Sequence, residues 1–181
     1  ANFDILDENP TEYLKKVMTD GGMVLFVGLT KQSADTIKDL ANETNMPYVV
    51  ERWIGGSLTN FKVIMGRVKK MEEMEKQTKS GELDKYTKKE RLLFDRELKK
   101  MENHFGGLRK MTKLPDVVFV SSLKEGALPI REAKRMKLKT VAIANTDSSP
   151  DDVDYAIPAN DRSKKSVDLI LNAIKTELTN K

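Results

Sequence analysis

Short runs of consecutive apolar residues alternate along the chain with stretches in which apolar residues recur at helical spacing. Five stretches rich in apolar residues have the length of strands: residues 23–27, 48–50, 116–120, 140–144 and 153–157. Four amphipathic stretches predict helices: residues 12–18, 33–45, 127–136 and 163–178. Strands that alternate with helices predict a doubly wound α/β domain with a mainly parallel sheet.

The pattern changes over residues 60–105, between the second and third predicted strands. Apolar residues there follow coiled-coil intervals of three and four, in two sets: Phe61, Ile64, Val68 and Met71, then Phe94, Leu98, Met101 and Phe105. Residues 78–82 have the composition of a turn, and Thr87 with Glu90 fits a capping box that opens the second helix. The sequence therefore predicts an antiparallel helical hairpin.

The predicted fold class is α/β, flavodoxin-like or Rossmann-like, with an inserted antiparallel coiled-coil hairpin. The sheet domain comprises residues 1–59 and 106–181, and the hairpin comprises residues 60–105. An arm of 18 residues would be about 27 Å long. Because each apolar seam is narrow, we expect the hairpin to bury little and to turn most of its surface outward.

Composition excludes several classes of site. The chain has 181 residues, of which 33% are charged and 39% apolar, with no cysteine and one histidine. These counts exclude disulfides, thiolate zinc sites, cysteine nucleophiles and multi-histidine metal sites. The sequence has no apolar run of the length of a membrane span and no secretory signal. The absence of cysteine fits a reducing cytosol.

Positive charge is concentrated in the middle of the chain. The formal net charge is +4, but residues 62–113 contain 16 Lys and Arg and 9 Asp and Glu, whereas the remainder carries −3. A basic segment on a nearly neutral body is typical of a contact with nucleic acid or with an acidic surface. A solvated coiled-coil face has the same composition, so charge alone leaves both interpretations open.

Three stretches could carry small-molecule chemistry. The turn at Gly28 follows a strand and precedes a helix, but it has one glycine and no phosphate-binding motif, so an ordinary crossover turn capped by Thr30 or Ser33 is favoured. The acidic residues 147–154 could bind Mg²⁺ through oxygens, although Asp, Ser and Pro are also ordinary turn residues, and Asp161 could cap the last helix. His104 has no nucleophile beside it and fits a helix C-terminus.

Residues 52–62 form a glycine-bearing loop that contains the only tryptophan. Glycines allow a backbone to approach another surface closely. Tryptophan and arginine side chains can stack on bases or anchor a partner, and asparagine and serine side chains can bind phosphate or ribose oxygens. Packing is the favoured role for Trp53, where the hairpin meets the sheet. Arg52, Asn60 and Lys62 are favoured as surface contacts.

This loop, R-W-I-G-G-S-L-T-N-F-K, resembles a motif of the bacterial-type small-subunit ribosomal protein S-two family. Other stretches resemble the same family in order: L-F-V-G-x-x-K, M-P-Y-V, R-E-L-x-K-x-E-N, G-G-L-R-K-M, L-P-D-V-V-F-V and I-A-N-T-D-S-S-P-D-D-V-D-Y-A-I-P-A-N-D. The family's usual N-terminal segment, G-H-x-x-x-x-W-N-P, has no counterpart, and residues 2–7 resemble the point just after it. Either the chain is trimmed or it is a short variant.

The resemblance implies a non-enzymatic constituent of the small ribosomal subunit, in the cytoplasm, with the family's α/β domain and inserted hairpin. It implies contacts with small-subunit ribosomal RNA and with neighbouring ribosomal proteins, including the large protein numbered one. We expect no cofactor, metal ion, membrane contact or small-molecule substrate.

The candidate RNA contacts are exposed basic and polar residues of the hairpin and its adjoining loops: Arg52, Asn60, Lys62, Arg67, Lys69, Lys70, Lys88, Lys89, Arg91, Arg96, Lys99, Lys100, Arg109 and Lys110. Trp53, Gly55 and Gly56 are assigned structural roles. Two alternatives are an α/β enzyme that binds a nucleotide or sugar phosphate at Gly28 and residues 147–154, and a coiled-coil adaptor that binds protein.

Overall fold

A computed structural model describes residues 9–179, so the predicted departure from the family at residues 2–7 lies outside the described range. Five strands occupy this range: β1 Val24–Val27, β2 Tyr48–Val49, β3 Val117–Val120, β4 Lys139–Ala144 and β5 Tyr155–Pro158. The α-helices are α1 Pro10–Thr19, α2 Ala34–Glu43, α3 Phe61–Lys79, α4 Lys88–Phe105, α5 Ala127–Arg135 and α6 Lys164–Thr179.

The strands form one sheet in the order β2-β1-β3-β4-β5, and every neighbouring pair is parallel. The doubly wound α/β prediction is therefore confirmed, and the strand order is that of flavodoxin-like sheets. The direction of winding reverses between β1 and β3, where Val24 pairs with Val117.

Alternate strand residues face two different hydrophobic layers, because side chains along a strand point to opposite faces. Val24 and Phe26 pack with buried residues of α1, α2 and α6. Leu25 and Val27 belong to the other layer, which contains α5, the loop that carries Trp53, and the ends of α3 and α4 nearest the sheet. Both faces of the sheet are thus covered, as a parallel sheet requires.

Helices α3 and α4 lie between β2 and β3 in the chain and pack against each other. Ile64, Val68 and Met71 of α3 are buried and belong to the same hydrophobic cluster as the sheet residues, whereas Phe105 is the one buried residue of α4. The outward exposure expected of the hairpin is therefore greater for α4 than for α3. Its coiled-coil twist and its status as a separate domain stay predictions.

The predicted capping box is confirmed at the start of α4. The Thr87 hydroxyl accepts a hydrogen bond from the backbone N–H of Glu90, and the Glu90 carboxylate accepts one from the N–H of Thr87 at 2.9 Å. These bonds satisfy two backbone donors that a helix N-terminus otherwise leaves without partners.

Two details near the C-terminus differ from the sequence predictions. Strand β5 begins at Tyr155 rather than at residue 153, because Asp154 binds Thr140 through its side chain and its N–H before strand pairing starts. Asp161 does not cap α6: its carboxylate accepts hydrogen bonds from Ser122 and Asn145. Within residues 9–179, no helix has the length and apolar character needed to span a bilayer.

Candidate nucleic-acid interface

The loop that joins β2 to α3 is held by one buried side chain of α5. Glu132 Oε1 accepts hydrogen bonds from Trp53 Nε1 at 3.0 Å and from the N–H of Gly56 at 2.8 Å. Its Oε2 accepts from the N–H groups of Leu58 at 3.0 Å and Thr59 at 3.3 Å. Glu132 is only 5% exposed and organises the whole loop.

Burial alone would raise the pKa of Glu132, because it penalises the charged form. The hydrogen bonds from Trp53, Gly56, Leu58 and Thr59 outweigh burial and hold the pKa of this carboxyl below its ordinary value. Glu132 is therefore ionised at neutral pH. Sequence reasoning missed this residue, since a glutamate in a short amphipathic helix gives no sign of a distant loop as its partner.

The loop glycines have different roles in the structure. Gly56 has φ +90, a conformation that glycine adopts without strain, and its N–H is bound to Glu132. A side chain at Gly55 would meet no atom within 4 Å, so packing does not explain the glycine at that position. Ser57 is buried and donates its hydroxyl to the carbonyl of Ile54, which leaves it no part in an external contact.

Trp53 is 6% exposed and lies in the hydrophobic cluster that contains the sheet, α3 and α5. Arg52, Asn60 and Lys62 are exposed on either side of the buried part of the loop. Asn60 occupies the N-cap position of α3, and its side chain makes no capping hydrogen bond. The structure thus separates a buried anchor from polar groups at the surface.

The outward face of α4 is the most uniformly basic surface of the hairpin. Residues 91, 94, 98, 101 and 105 form the covered side of α4, so helical geometry places a second set of residues on the opposite side. This outward face, named here the α4 outer face, consists of Lys89, Leu92, Leu93, Arg96, Lys99, Lys100 and Asn103. All seven are exposed, four are cations, and none carries a carboxylate.

Exposed leucines interrupt this basic row. Leu92 is 51% exposed and Leu93 is 55% exposed. The carboxylates of α4, which are Glu90, Asp95, Glu97 and Glu102, project toward its flanks or toward α3. Helix α3 differs, because Glu73 lies among Lys62, Lys69 and Lys76 on its outward side.

Three of the predicted contact residues are bound to carboxylates of the hairpin region. Lys70 Nζ lies 3.1 Å from Glu97 Oε1, and Arg91 binds the Asp84 carboxylate at 3.2 Å. Arg109 pairs with Glu75 and lies 3.6 Å from Glu102. The hydrogen bond from Arg109 to Glu75 raises the pKa of the guanidinium further. These three ion pairs join α3, α4 and the segments next to them to one another.

The remaining basic candidates form no ion pair with the residues that the structure describes. They are exposed in the loop before α3, along α3 and α4, and in the segment that follows α4: Arg52, Lys62, Arg67, Lys69, Lys88, Lys89, Arg96, Lys99, Lys100 and Lys110.

Three hydroxyl side chains bind one another at the β1–β3 switch. Ser121 Oγ donates to Ser33 Oγ at 2.7 Å, and Ser33 Oγ lies 2.8 Å from Thr30 Oγ1. Ser33 is buried at the N-cap position of α2, but its side chain makes no capping hydrogen bond. The predicted cap is thus replaced by a bond across the switch point, where ligands of open α/β sheets bind.

The acidic residues that follow β4 diverge toward separate partners. Asp147 pairs with Arg162 and with Lys124, and Asp152 lies 3.6 Å from Lys134 Nζ. Asp154 binds Lys139 at 3.0 Å. Over residues 9–179, no three His, Cys, Asp or Glu side chains are grouped as metal ligands would be.

His104 lies in the last turn of α4, half-buried, with its ring edge-on to Phe105. Its Nδ1 is buried and has no hydrogen-bond partner among the described residues. The geometry therefore gives this imidazole no carboxylate that could orient it as a general base.

Comparison with known proteins identifies the family. Residues 6–180 match the family model described as ribosomal protein S2. The chain is 43% identical over 169 residues to the small ribosomal subunit protein uS2 of Flavobacterium johnsoniae, an alignment that covers 93% of this chain and 66% of that relative. The chain thus spans about two thirds of the relative's length. Because the family model matches nearly the whole chain, this chain belongs to the ribosomal protein S2 family.

Proposed function

We propose that this chain is a structural constituent of the small ribosomal subunit that binds ribosomal RNA and takes part in translation without catalysing a reaction. Family membership and the name of the Flavobacterium relative support the placement in the subunit. The exposed row of cations on the α4 outer face, which contains no carboxylate, carries the RNA-binding part of the proposal.

The mechanism is electrostatic. Lys89, Arg96 and Lys100 lie at intervals of seven and four, so they line one side of α4 over about 16 Å. Each cation that meets a phosphate releases counterions from the RNA, and binding therefore weakens steeply as salt rises. Arg52, Asn60 and Lys62 extend the contact to the loop, and neighbouring ribosomal proteins complete the surroundings of the chain in the cytoplasmic ribosome.

Two other functions have less support. An α/β enzyme would need the switch point, where Ser33 and Ser121 bind each other. It would also need the acidic loop, in which Asp147, Asp152 and Asp154 are paired with separate cations. A protein-binding adaptor would use Leu92 and Leu93, but Lys89 and Arg96 lie one helical turn before and after these exposed side chains.

Co-sedimentation tests the proposal. The tagged chain, expressed in a bacterial cytosol, should migrate with the small subunit in a sucrose gradient at low salt. It should move to the top of the gradient after ribonuclease treatment or at high salt. A chain that stays with the particle after both treatments would instead be held by protein, and one that never enters the particle would contradict the proposal.

A further inference from the structure

The hairpin is joined to the sheet at two places that are built differently. After α4, the turn Gly106–Leu108 lies directly on β2: a Cβ at Gly107 would be 2.2 Å from the carbonyl oxygen of Tyr48, and Leu108 is buried. Before α3, residues 53–59 are held through the Glu132 carboxylate of α5. One junction rests on backbone contact. The other combines the buried side chains of Trp53 and Leu58 with hydrogen bonds to one carboxylate, that of Glu132.

Glu132 connects a fixed element to the start of the hairpin. Ile130 and Ala133 pack α5 into the hydrophobic layer that covers the sheet, so the helix carrying Glu132 is firmly placed. The carboxylate binds the N–H groups of Leu58 and Thr59, and α3 begins at Phe61. A change in the direction of α3 would move both donors away from Glu132 Oε2.

Such a movement would be opposed strongly. Glu132 forms no ion pair with any cation in the described part of the chain, so hydrogen-bond donors alone compensate its buried charge. A buried charge that loses its partners pays the full desolvation penalty. The arrangement therefore favours one position of the loop over its alternatives.

We infer that Glu132 is a positioning residue that fixes the direction in which α3 and α4 leave the sheet. Its consequence for RNA, which rests on the proposed function, is that the α4 outer face is presented at a defined angle. The residue acts through Leu58 and Thr59 and makes no contact with RNA itself.

The variant Glu132→Gln tests this role with little change in volume. A carboxylate offers acceptors on both oxygens, whereas an amide offers them on one. In either orientation of the amide, its NH2 group points at a pair of N–H donors, Trp53 with Gly56 or Leu58 with Thr59. That pair loses its acceptor and is repelled by the NH2 group. We expect a folded chain in which the loop before α3 is released.

Distance measurements between spin labels report the direction of the hairpin. The chain has no cysteine, so two introduced cysteines would be the only labelling sites. Ser80→Cys lies at the exposed end of α3, and Lys15→Cys lies on the exposed side of α1. In double electron–electron resonance, the parent pair should give a narrow distance distribution, and Glu132→Gln should broaden it or shift its mean.

Two further variants separate positioning from loss of stability. Thr36→Val removes the Thr36–Asp168 hydrogen bond on the opposite face of the sheet; it should lower the thermal midpoint without changing the distances. Trp53→Phe removes one donor to Glu132 but keeps those of Leu58 and Thr59, so its distribution should stay narrow. If Glu132→Gln does not fold, Glu132→Asp, which keeps the charge but shortens the reach, is measured in its place and should also broaden the distribution.

A parent-like distribution in the Glu132 variant would overturn the inference, as would equal broadening in Thr36→Val. Gradient retention of Glu132→Gln in the small subunit then tests the consequence for RNA. Altered distances with undiminished retention would refute that consequence and leave the positioning role. Failure of the parent chain itself to enter the subunit would refute the proposed function, while the distances would still decide the role of Glu132.

Discussion

At the scale of single residues, two partly or fully buried carboxylates organise parts of the chain that lie far apart in sequence. Glu132 holds the loop before α3, and Asp154 joins β5 to the start of β4. Asp154 Oδ2 accepts hydrogen bonds from the N–H and the hydroxyl of Thr140, both at 2.9 Å, and Oδ1 accepts one from Lys139 at 3.0 Å. In both cases a charged acceptor binds backbone N–H groups of another segment of the chain.

These carboxylates predict a loss of stability in acid. Burial would raise the pKa of Asp154, but the hydrogen bonds from Lys139 and Thr140 outweigh it and lower the pKa below its ordinary 3.8. The pKa of Glu132 is likewise below its ordinary 4.5. Because the folded values are the lower ones, the stabilisation is complete above the ordinary values and is lost as pH falls through the folded ones.

The free energy of unfolding, measured by urea denaturation between pH 7 and pH 3, should therefore fall below about pH 4.5. Asp154→Asn removes one of the groups whose pKa is lowered by folding, so its stability should depend less steeply on pH over the same range. Equal slopes for the variant and the parent chain would contradict this account of Asp154.

The exposed contact residues could be predicted from the sequence, but the buried residue that holds their loop could not. Arg52, Asn60 and Lys62 are exposed because burial of a charged or polar side chain without a partner costs free energy. The role of Glu132 could not be found, since its partners at residues 53–59 precede it by more than seventy positions. Long-range hydrogen bonds of this kind leave no local periodicity.

At the scale of elements, the residues that start α4 and form the turn after α3 depend on local contacts and not on the sheet. The capping box of Thr87 and Glu90 fixes where α4 begins, and Gly81, with φ +76, allows the turn after α3. Both signals involve residues within a few positions of each other, which explains why the turn and the second helix could be predicted closely.

Replacement of the cap should weaken α4. Thr87→Ala removes the hydroxyl that accepts from the N–H of Glu90 and should lower the free energy of unfolding by about 1 kcal/mol. Urea denaturation followed by far-ultraviolet circular dichroism measures the loss. Ser80→Ala is the control, because that hydroxyl only donates to the carbonyl of Gln77. Equal stabilities of the two variants would argue against a capping role.

Strands that are buried along their whole length could be predicted well. The start of a strand could be predicted less well where a side-chain hydrogen bond sets it. The apolar residues of β1 and β3 are buried along their whole length, as their unbroken hydrophobic runs indicate. Strand β5 is only half-buried and begins after Asp154, whose bond to Thr140 is a tertiary feature. Propensity could not reveal that bond, so the predicted start was two residues early.

At the scale of the whole molecule, charge is divided between outward faces of the hairpin. The α4 outer face carries four cations without a carboxylate, whereas the outward side of α3 mixes Lys62, Lys69 and Lys76 with Glu73. The sequence predicted that the middle of the chain is basic, but the helical phase and the internal pairing of Lys70, Arg91 and Arg109 were needed to distinguish the two sides.

Matched triple variants test this difference. Replacing Lys89, Arg96 and Lys100 by Gln should weaken retention in the small subunit more than replacing Lys62, Lys69 and Lys76 by Gln. Each lost phosphate contact should reduce the slope of log affinity against log salt by roughly 0.7 to 0.9. Binding to purified small-subunit RNA at several salt concentrations measures that slope. A larger effect from the α3 set would assign the RNA contact to the other side of the hairpin.

The position of the hairpin also bears on how the chain folds. Strand β1 must pair with β3, yet the whole of α3 and α4 separates them in the chain. Closing so long a segment while it is disordered carries an entropic cost that grows with its length, whereas a helical hairpin depends on contacts near in sequence. Early formation of the hairpin would bring Val27 and Val120 closer before they pair, so the order of events during synthesis would follow the order of the chain.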